Sequence, residues 1–338
     1  MNKEIDLKNY VIRTDLAIEA IDGIEYQKEN INYQKTKVTR FFIDKETGKK
    51  INKQEGNYVT IEFEDVTDID NKKELEKALV TELKRILKLN SLTSDKTCLI
   101  VGLGNDKSTP DSLGPLVVNK VLVTAPLFEI NEVSEGFSNT LAFEPKVMAR
   151  TGIETSDLIS SIVKKFKPDY LIVIDALASK SVERLNKTIQ ISDTGISPGS
   201  GVGNKRKEIS INTINVPVIA LGIPTVVDAV TIVSDTINYM QKKYSYTKNN
   251  LDTSSYKLGG FSSNYLNKEK ENIEDRKKLF GLIGNLDEDE IRQLLYEVLT
   301  PIGYNLMVTV KEVDFIMEKL SDVIAYSINK SLHKSYKI

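Results

Sequence analysis

Two aspartates carry the richest chemistry in this sequence. Asp111 lies in VGLGNDKSTPDSLGP, where an apolar run ends in Gly-x-Gly, and Asp175 closes the apolar run DYLIVID. They are far apart along the chain, so only the fold can bring them together. If the two runs are neighbouring parallel strands, both carboxylates fall beyond the strands' carboxyl ends, where open α/β sheets bind ligands. Two close carboxylates do not readily ionise together. One keeps a proton while the other serves as base, a pair able to activate water on a peptide carbonyl. The same oxygens can instead hold a hard cation. Plainer roles stand beside these: an aspartate ahead of a helix is commonly its N-cap, contributing about 1 kcal/mol, and one at a strand end is commonly a turn residue.

Composition thins out the competing chemistries. The 338 residues include one cysteine and one histidine. No internal disulfide and no Cys/His zinc site can form, and HExxH is absent. Cys98, in TCLIVGLG, reads as a buried inert thiol. His333, in SLHKSYKI, reads as a solvated tail residue, which leaves a Ser-His or Cys-His enzyme without a well-placed base. With 46 basic against 48 acidic residues the net charge is −2, so no basic face for nucleic acid is expected. No apolar run approaches the roughly 20 residues of a membrane span, and MNKEIDLKNYVIRTDLAIEA lacks the parts of a secretory signal. The expected location is cytoplasmic.

A nucleotide site is weakly supported. Gly102 and Gly104 fit the start of G-x-G-x-x-G, but Lys107 occupies the third glycine position, and no Walker loop is present. A second cluster, ISPGSGVGNKRKEIS, sets Lys205, Arg206 and Lys207 after three glycines. It can attract an acidic peptide segment or be a plain surface loop. Two rival classes therefore remain: a metal-dependent hydrolase with the same two acids as ligands, and a non-enzymatic nickel- or nucleotide-binding chaperone. Nickel would want imidazole or thiolate near the loop.

The elements that must position these residues follow from periodicity. Residues 26–65 read as β-rich, with KETG as a hairpin turn and YVTIEFE alternating as a half-buried strand. Leu75, Leu79, Leu83 and Leu87 predict an amphipathic helix ending near Asn90. From 97 to 240 buried strands (TCLIVGLG, DYLIVIDALAS, VPVIALGIP) alternate with helices (SLGPLVVNKVL, ETSDLISSIVKKFKP, VVDAVTIVSDTINYMQKK). Such alternation predicts βαβ units and a parallel-rich twisted sheet with helices on both faces. Residues 242–275 are polar and read as a mobile surface excursion. Residues 276–338 read as a helical tail, with Thr309-x-x-Glu312 spaced as a capping box.

VGLGNDKSTPDSLGPLVVNKVLVTAPLF, TGIETSDLI, DYLIVIDALAS, ISDTGISPGSGVGNKRKEIS, VPVIALGIPTVVDAV, NLMVTVKEVDFI and the leader YVIRTDLAIEA, taken in order, resemble the germination protease family of endospore-forming bacteria. The resemblance runs from residue 10 to about 315 and is weakest over 26–60 and 242–275. It implies an aspartate-type endopeptidase with a fold like that of the hydrogenase maturation proteases, without a cofactor. The family's essential aspartates fall on Asp111 and Asp175. It implies small acid-soluble spore proteins as substrates, a homotetramer, and a place in the forespore and spore core. It also implies a zymogen that removes its own leader. Asp15-Leu16-Ala17 fits the family's cleavage preference, so 1–15 is the expected propeptide and 16–338 a single peptidase domain. Ile12 departs from the acid expected four residues before the cut. The plainer reading makes Asp15 the cap of a helix. The sequence offers two further contacts: backbone N–H groups at Gly104 and Asn105 as oxyanion donors, and Lys205 and Arg206 as attractors of the acid before the cut.

Overall fold

A computed structural model describes residues 14–24, 26–199, 206–250, 273–299 and 306–337. Their contacts divide into two compact units. Among the described residues, the larger draws on those within 14–179, 183–226 and 309–337, the smaller on those within 180–182 and 227–308.

The larger unit begins with a one-turn helix α1 (Ala17–Ala20) and an antiparallel run, β1 (Lys28–Asn32), β2 (Thr36–Ile43) and β3 (Gly56–Phe63). Between β2 and β3 the sequence predicts a tight turn at KETG. The chain forms a helix there instead, α2 (Lys45–Ile51). Asp44 caps it, its carboxylate accepting from the N–H groups of Glu46 and Thr47, and left-handed Asn52 ends it. The cap satisfies donors that a turn would have left to water.

Helix α3 (Ile69–Leu89) follows, with Asn90 at its C-cap as the leucine spacing predicts. Its Leu75, Leu79, Leu83 and Leu87 are buried, each contributing roughly 2 kcal/mol. Its first turn is tied down by Asn71, which is fully buried. The Asn71 Oδ1 accepts from the N–H groups of Glu64 and Asp65, and its Nδ2 donates to the Lys35 carbonyl and the Thr36 hydroxyl. Asn71→Ala would remove the partner of two amides and a carbonyl around a fully buried position. Urea unfolding is expected to show a loss of about 3 kcal/mol.

Next come β4 (Cys98–Gly102), α4 (Leu113–Val118), α5 (Ala125–Glu129), β5 (Thr140–Phe143), α6 (Met148–Thr151), α7 (Thr155–Phe166), β6 (Tyr170–Ser179), β7 (Thr188–Ser192), α8 (Ile211–Ile214) and β8 (Val218–Asp228). The sheet order is β1-β2-β3-β7-β8-β6-β4-β5. Strand β4 pairs in parallel with both β5 and β6. Pairings β3–β7 and β7–β8 are antiparallel. The N-terminal strands extend the same sheet through β3 and β7. Alternate residues of β4 and β6 point into different cores. Cys98, Ile100, Tyr170, Ile172 and Ile174 pack with α3, α4 and the C-terminal helix. Leu99, Val101, Leu171 and Val173 pack with Ile159 and Val163 of α7 and Ile214 of α8. Helices cover both faces, as expected. Cys98 is buried and inert, its thiol pushed up to about 12 by burial.

The smaller unit holds α9 (Ala229–Asn250), α10 (Ile273–Phe280), α11 (Glu288–Leu299) and the short β9 (Met307–Val308). Residues 242–250 are therefore helical, against the polar excursion expected from 242 onward; 251–272 lie outside the described residues. Asp275 on α10 accepts from Ser245 and Lys248 of α9, anchoring a stretch whose composition reads as loop.

The final helix, α12 (Val313–Leu332), returns to the larger unit's core. The capping box expected at Thr309 does not form. Glu312 holds the N-cap position without a side-chain bond, and its carbonyl accepts from the Ile316 N–H. His333 is likewise corrected: it is fully buried, its Nδ1 accepting from the Ser138 N–H. Burial holds its pKa below the usual histidine value. Docking of α12 carries the residue inward, which tail position in the sequence does not register.

Candidate active site

Asp111 lies in a single 3-10 turn, Thr109–Asp111, between β4 and α4. The N-cap position of α4 belongs to Ser112, and no side chain caps that helix, so the capping role open to Asp111 is not the one it fills. Its main-chain carbonyl instead accepts the Asn105 N–H at 2.8 Å. The loop folds so tightly on Asp111 that a Cβ on Gly104 would lie 3.2 Å from the Asp111 carboxylate.

Asp175 is not at the end of its strand, as the sequence suggests, because β6 runs on to Ser179. It is, however, the first residue past the last pairing with β4, Gly102 opposite Ile174. Its side chain alternates onto the face of Leu171 and Val173. The Asp175 Oδ1 accepts its neighbour Ala176's N–H at 3.0 Å. The ends of two adjacent parallel strands thus bring the two acids together.

Burial pushes the Asp111 carboxyl up to about 6, opposed by the Asn105 N–H. Asp175 is held well above the usual carboxylate range, first by burial, then by the charges of Asp111 and Asp15, with the Ala176 N–H opposing. Both carboxyls therefore hold their protons to higher pH than an ordinary aspartate does, Asp175 being the more deeply buried of the two.

The third acid is Asp15. Asp15 donates its N–H to the Ala178 carbonyl at 3.0 Å, and its carboxylate accepts the Ala178 N–H at 2.8 Å. Asp15 therefore docks on the overhang of β6, three residues past Asp175. Asp15 is not a helix cap: Leu16 is the N-cap residue of α1 and makes no side-chain cap bond. Leu16 is fully buried.

Two residues that sequence reading missed surround the Asp15–Leu16 bond. Lys53 Nζ donates to the carbonyls of Thr14 at 3.1 Å and Asp15 at 3.0 Å. Gln190 Nε2 donates to the Asp15 carbonyl at 3.2 Å, while its Oε1 accepts the Ala17 N–H at 2.5 Å. Burial pushes the Lys53 amine down, against the pull of the Asp15 and Glu19 carboxylates. Lys53 follows the left-handed Asn52 that ends α2, and Gln190 lies on β7. Neither stretch carries a motif.

The remaining assignments fare differently. The Asn105 N–H, expected to face an oxyanion, is committed to Asp111, as above. Lys205 lies outside the described residues. Arg206 is near Glu154 at 3.7 Å and contacts Met148, and Lys207 pairs with Asp157 at 2.8 Å. Asp228 accepts the Val230 N–H at 2.7 Å at the start of α9, as a capping residue would. Among the described residues no group of three or more His, Cys, Asp or Glu could hold a metal ion, and no helix is long and apolar enough to cross a membrane.

Fold and site define an α/β protein with two carboxylates, Asp175 buried and Asp111 half-buried, at the carboxyl ends of parallel strands. The germination protease family model matches residues 3–337. A germination protease of Oceanobacillus iheyensis is 45% identical over 354 residues, covering 97% of this chain and 96% of that protein. One from Priestia megaterium is 44% identical over 357 residues, covering 98% and 96%. The chain belongs to the germination protease family and is an endopeptidase of spore germination. A solved structure of the NiFe hydrogenase maturation protease HycI from Thermococcus kodakarensis KOD1 is also similar. It matches 42% of this chain and 80% of its own at 17% identity, with a TM-score of 0.28. At that level the likeness bears on neither site nor activity.

Proposed function

We propose that this endopeptidase is made as a zymogen that cuts its own Asp15–Leu16 bond, with Asp111 and Asp175 as its catalytic pair. Its substrates in the spore are then small acid-soluble spore proteins, and its working form is the homotetramer implied by the family resemblance. The observation that carries the reading is the docking of Asp15 on Ala178, close enough to the pair for its charge to bear on Asp175.

In the proposed mechanism the ionised Asp111 takes a proton from water as the water oxygen bonds to the Asp15 carbonyl carbon. Asp175 gives its proton to the carbonyl oxygen, whose π electron pair becomes a lone pair. Collapse of the tetrahedral intermediate returns that proton to Asp175 and breaks the C–N bond. Asp111 then hands its proton to the leaving amine of Leu16, and both acids end as they began. No metal enters these steps.

Mass spectrometry of the purified full-length chain, held at a series of pH values from about 4 to 8 with and without a chelator, tests this. The wild type is expected to yield a product beginning at Leu16 in both arms, and Asp111→Asn to remain intact. Loss of processing in the chelator arm alone would make the two acids metal ligands. Cleavage of Asp111→Asn at the wild-type rate would remove the pair from the chemistry.

A further inference from the structure

Of the peptide groups between Thr14 and Ala17, the one carrying the Asp15 carbonyl is treated unlike its neighbours. That single oxygen accepts two side-chain donors, the Lys53 ammonium at 3.0 Å and the Gln190 amide at 3.2 Å. The groups on either side fix its direction. The Asp15 N–H is bonded to the Ala178 carbonyl, and the Ala17 N–H to the other end of the Gln190 amide. Fastening a leader does not require two donors on one oxygen, one of them cationic and half-buried. Those are the requirements of a carbonyl on which negative charge will develop.

We infer that Lys53 and Gln190 are catalytic residues that hold and polarise the scissile carbonyl, and that they supply the oxyanion stabilisation of this peptidase. The inference rests on the proposed cut at Asp15–Leu16. As water adds, the π electron pair moves onto the Asp15 oxygen, which then carries three lone pairs. Two face the Lys53 and Gln190 N–H donors and the third takes the Asp175 proton. When the C–N bond breaks, that pair re-forms the C=O bond and the donors return to a neutral carbonyl. The donors come from α2's end and from β7, on the antiparallel half of the sheet. The acids come from the parallel half, so each half supplies one part of the chemistry.

The test follows first-order self-processing in the full-length chain for Lys53→Met, Lys53→Arg and Gln190→Leu, with wild type and Asp111→Asn alongside. Hydrogen exchange at the Ala17 amide monitors whether the leader stays docked. Lys53→Met is expected to slow appearance of the Leu16 product by about 100-fold or more, with Ala17 still protected by Gln190. Lys53→Arg, which keeps a cationic donor, is expected to recover much of the rate. Gln190→Leu removes the second donor and the Ala17 acceptor together, so docking in that variant is read at the Asp15 amide, bonded to the Ala178 carbonyl; processing is expected to slow by about 10-fold, and this variant decides the matter if the lysine variants fail to fold. A wild-type or faster rate in Lys53→Met overturns the inference. So does slow processing accompanied by loss of Ala17 protection, which would make Lys53 a fastener. In either case a dead Asp111→Asn leaves the peptidase reading standing. If wild type itself makes no Leu16 product, that reading fails and takes this one with it.

Discussion

Asp175→Asn is expected to lower self-processing by about 1,000-fold, within the range for loss of a general acid, and at the same time to raise the melting temperature at pH 7. Most substitutions of a fully buried polar residue cost stability. This one differs because the ionisable group it removes is held in an unfavourable place. Asp175 and Asp111 both bind their protons more tightly in the folded chain than at the ordinary aspartate value of 3.8. The native state therefore holds more protons than the unfolded state. Stability is full below pH 3.8 and falls as pH rises. For Asp111 the loss runs from there to about 6; for Asp175 it extends further up. Asparagine preserves the Oδ1 that accepts the Ala176 N–H and has no charge to penalise. Asp111→Asn should gain about 2 kcal/mol at pH 7, allowing for its partial exposure to solvent. Thermal melts of wild type and both variants at pH 4 and pH 7 check this. Curves that converge at pH 4 and separate at pH 7 are the expected result. Equal destabilisation at both pH values would mean that the acids are structural.

Gly104→Ala is expected to cost about 3 kcal/mol and to abolish processing. Gly104 adopts φ +117, and a Cβ there would stand 2.0 Å from the Asp111 main-chain oxygen. That oxygen is the acceptor of the Asn105 N–H, so the loop cannot yield without releasing Asp111. Backbone strain and overpacking each contribute roughly 1–3 kcal/mol. Gly152→Ala separates the two. Gly152 has φ +71 with nothing within 4 Å of the added carbon, so it meets strain alone, at about 1 kcal/mol. Denaturant unfolding of the pair, together with the processing rate, decides. Equal costs would mean that the close packing on Asp111 carries no energy.

The parallel half of the site is legible in the sequence. Unbroken apolar runs such as CLIVG and YLIVID have one economical home, a strand buried on both faces, and an acid just beyond such a run is placed by topology. The four-residue leucine spacing of α3 is as direct. Lys53 and Gln190 are not legible. Gln190 alternates polar among isoleucines as many strand residues do, and Lys53 is one lysine in a basic stretch. Both acquire a role only when β3 pairs with β7, and local patterns do not encode that pairing. His333 and Asn71 are hidden for the same reason: each is polar, and each is buried because a distant segment supplies its partners. The helix at KETG was missed because a glycine between charged residues suits a turn as well as a capped helix. Only the Asp44 bonds distinguish the two.

The pairing of β3 with β7 orders the events after synthesis. Across it, Asn57 and Asp193 are joined by a hydrogen bond that spans 136 residues of sequence. Closing so long a loop is entropically slow, and contacts of this separation set the pace of folding in β-containing proteins. A chain still forming can assemble β4, β6 and both acids from a local stretch. It lacks the carbonyl donors until the N-terminal strands dock. A nascent chain would thus carry its acids before it could use them, and the first cut would report that the slowest pairing had been made.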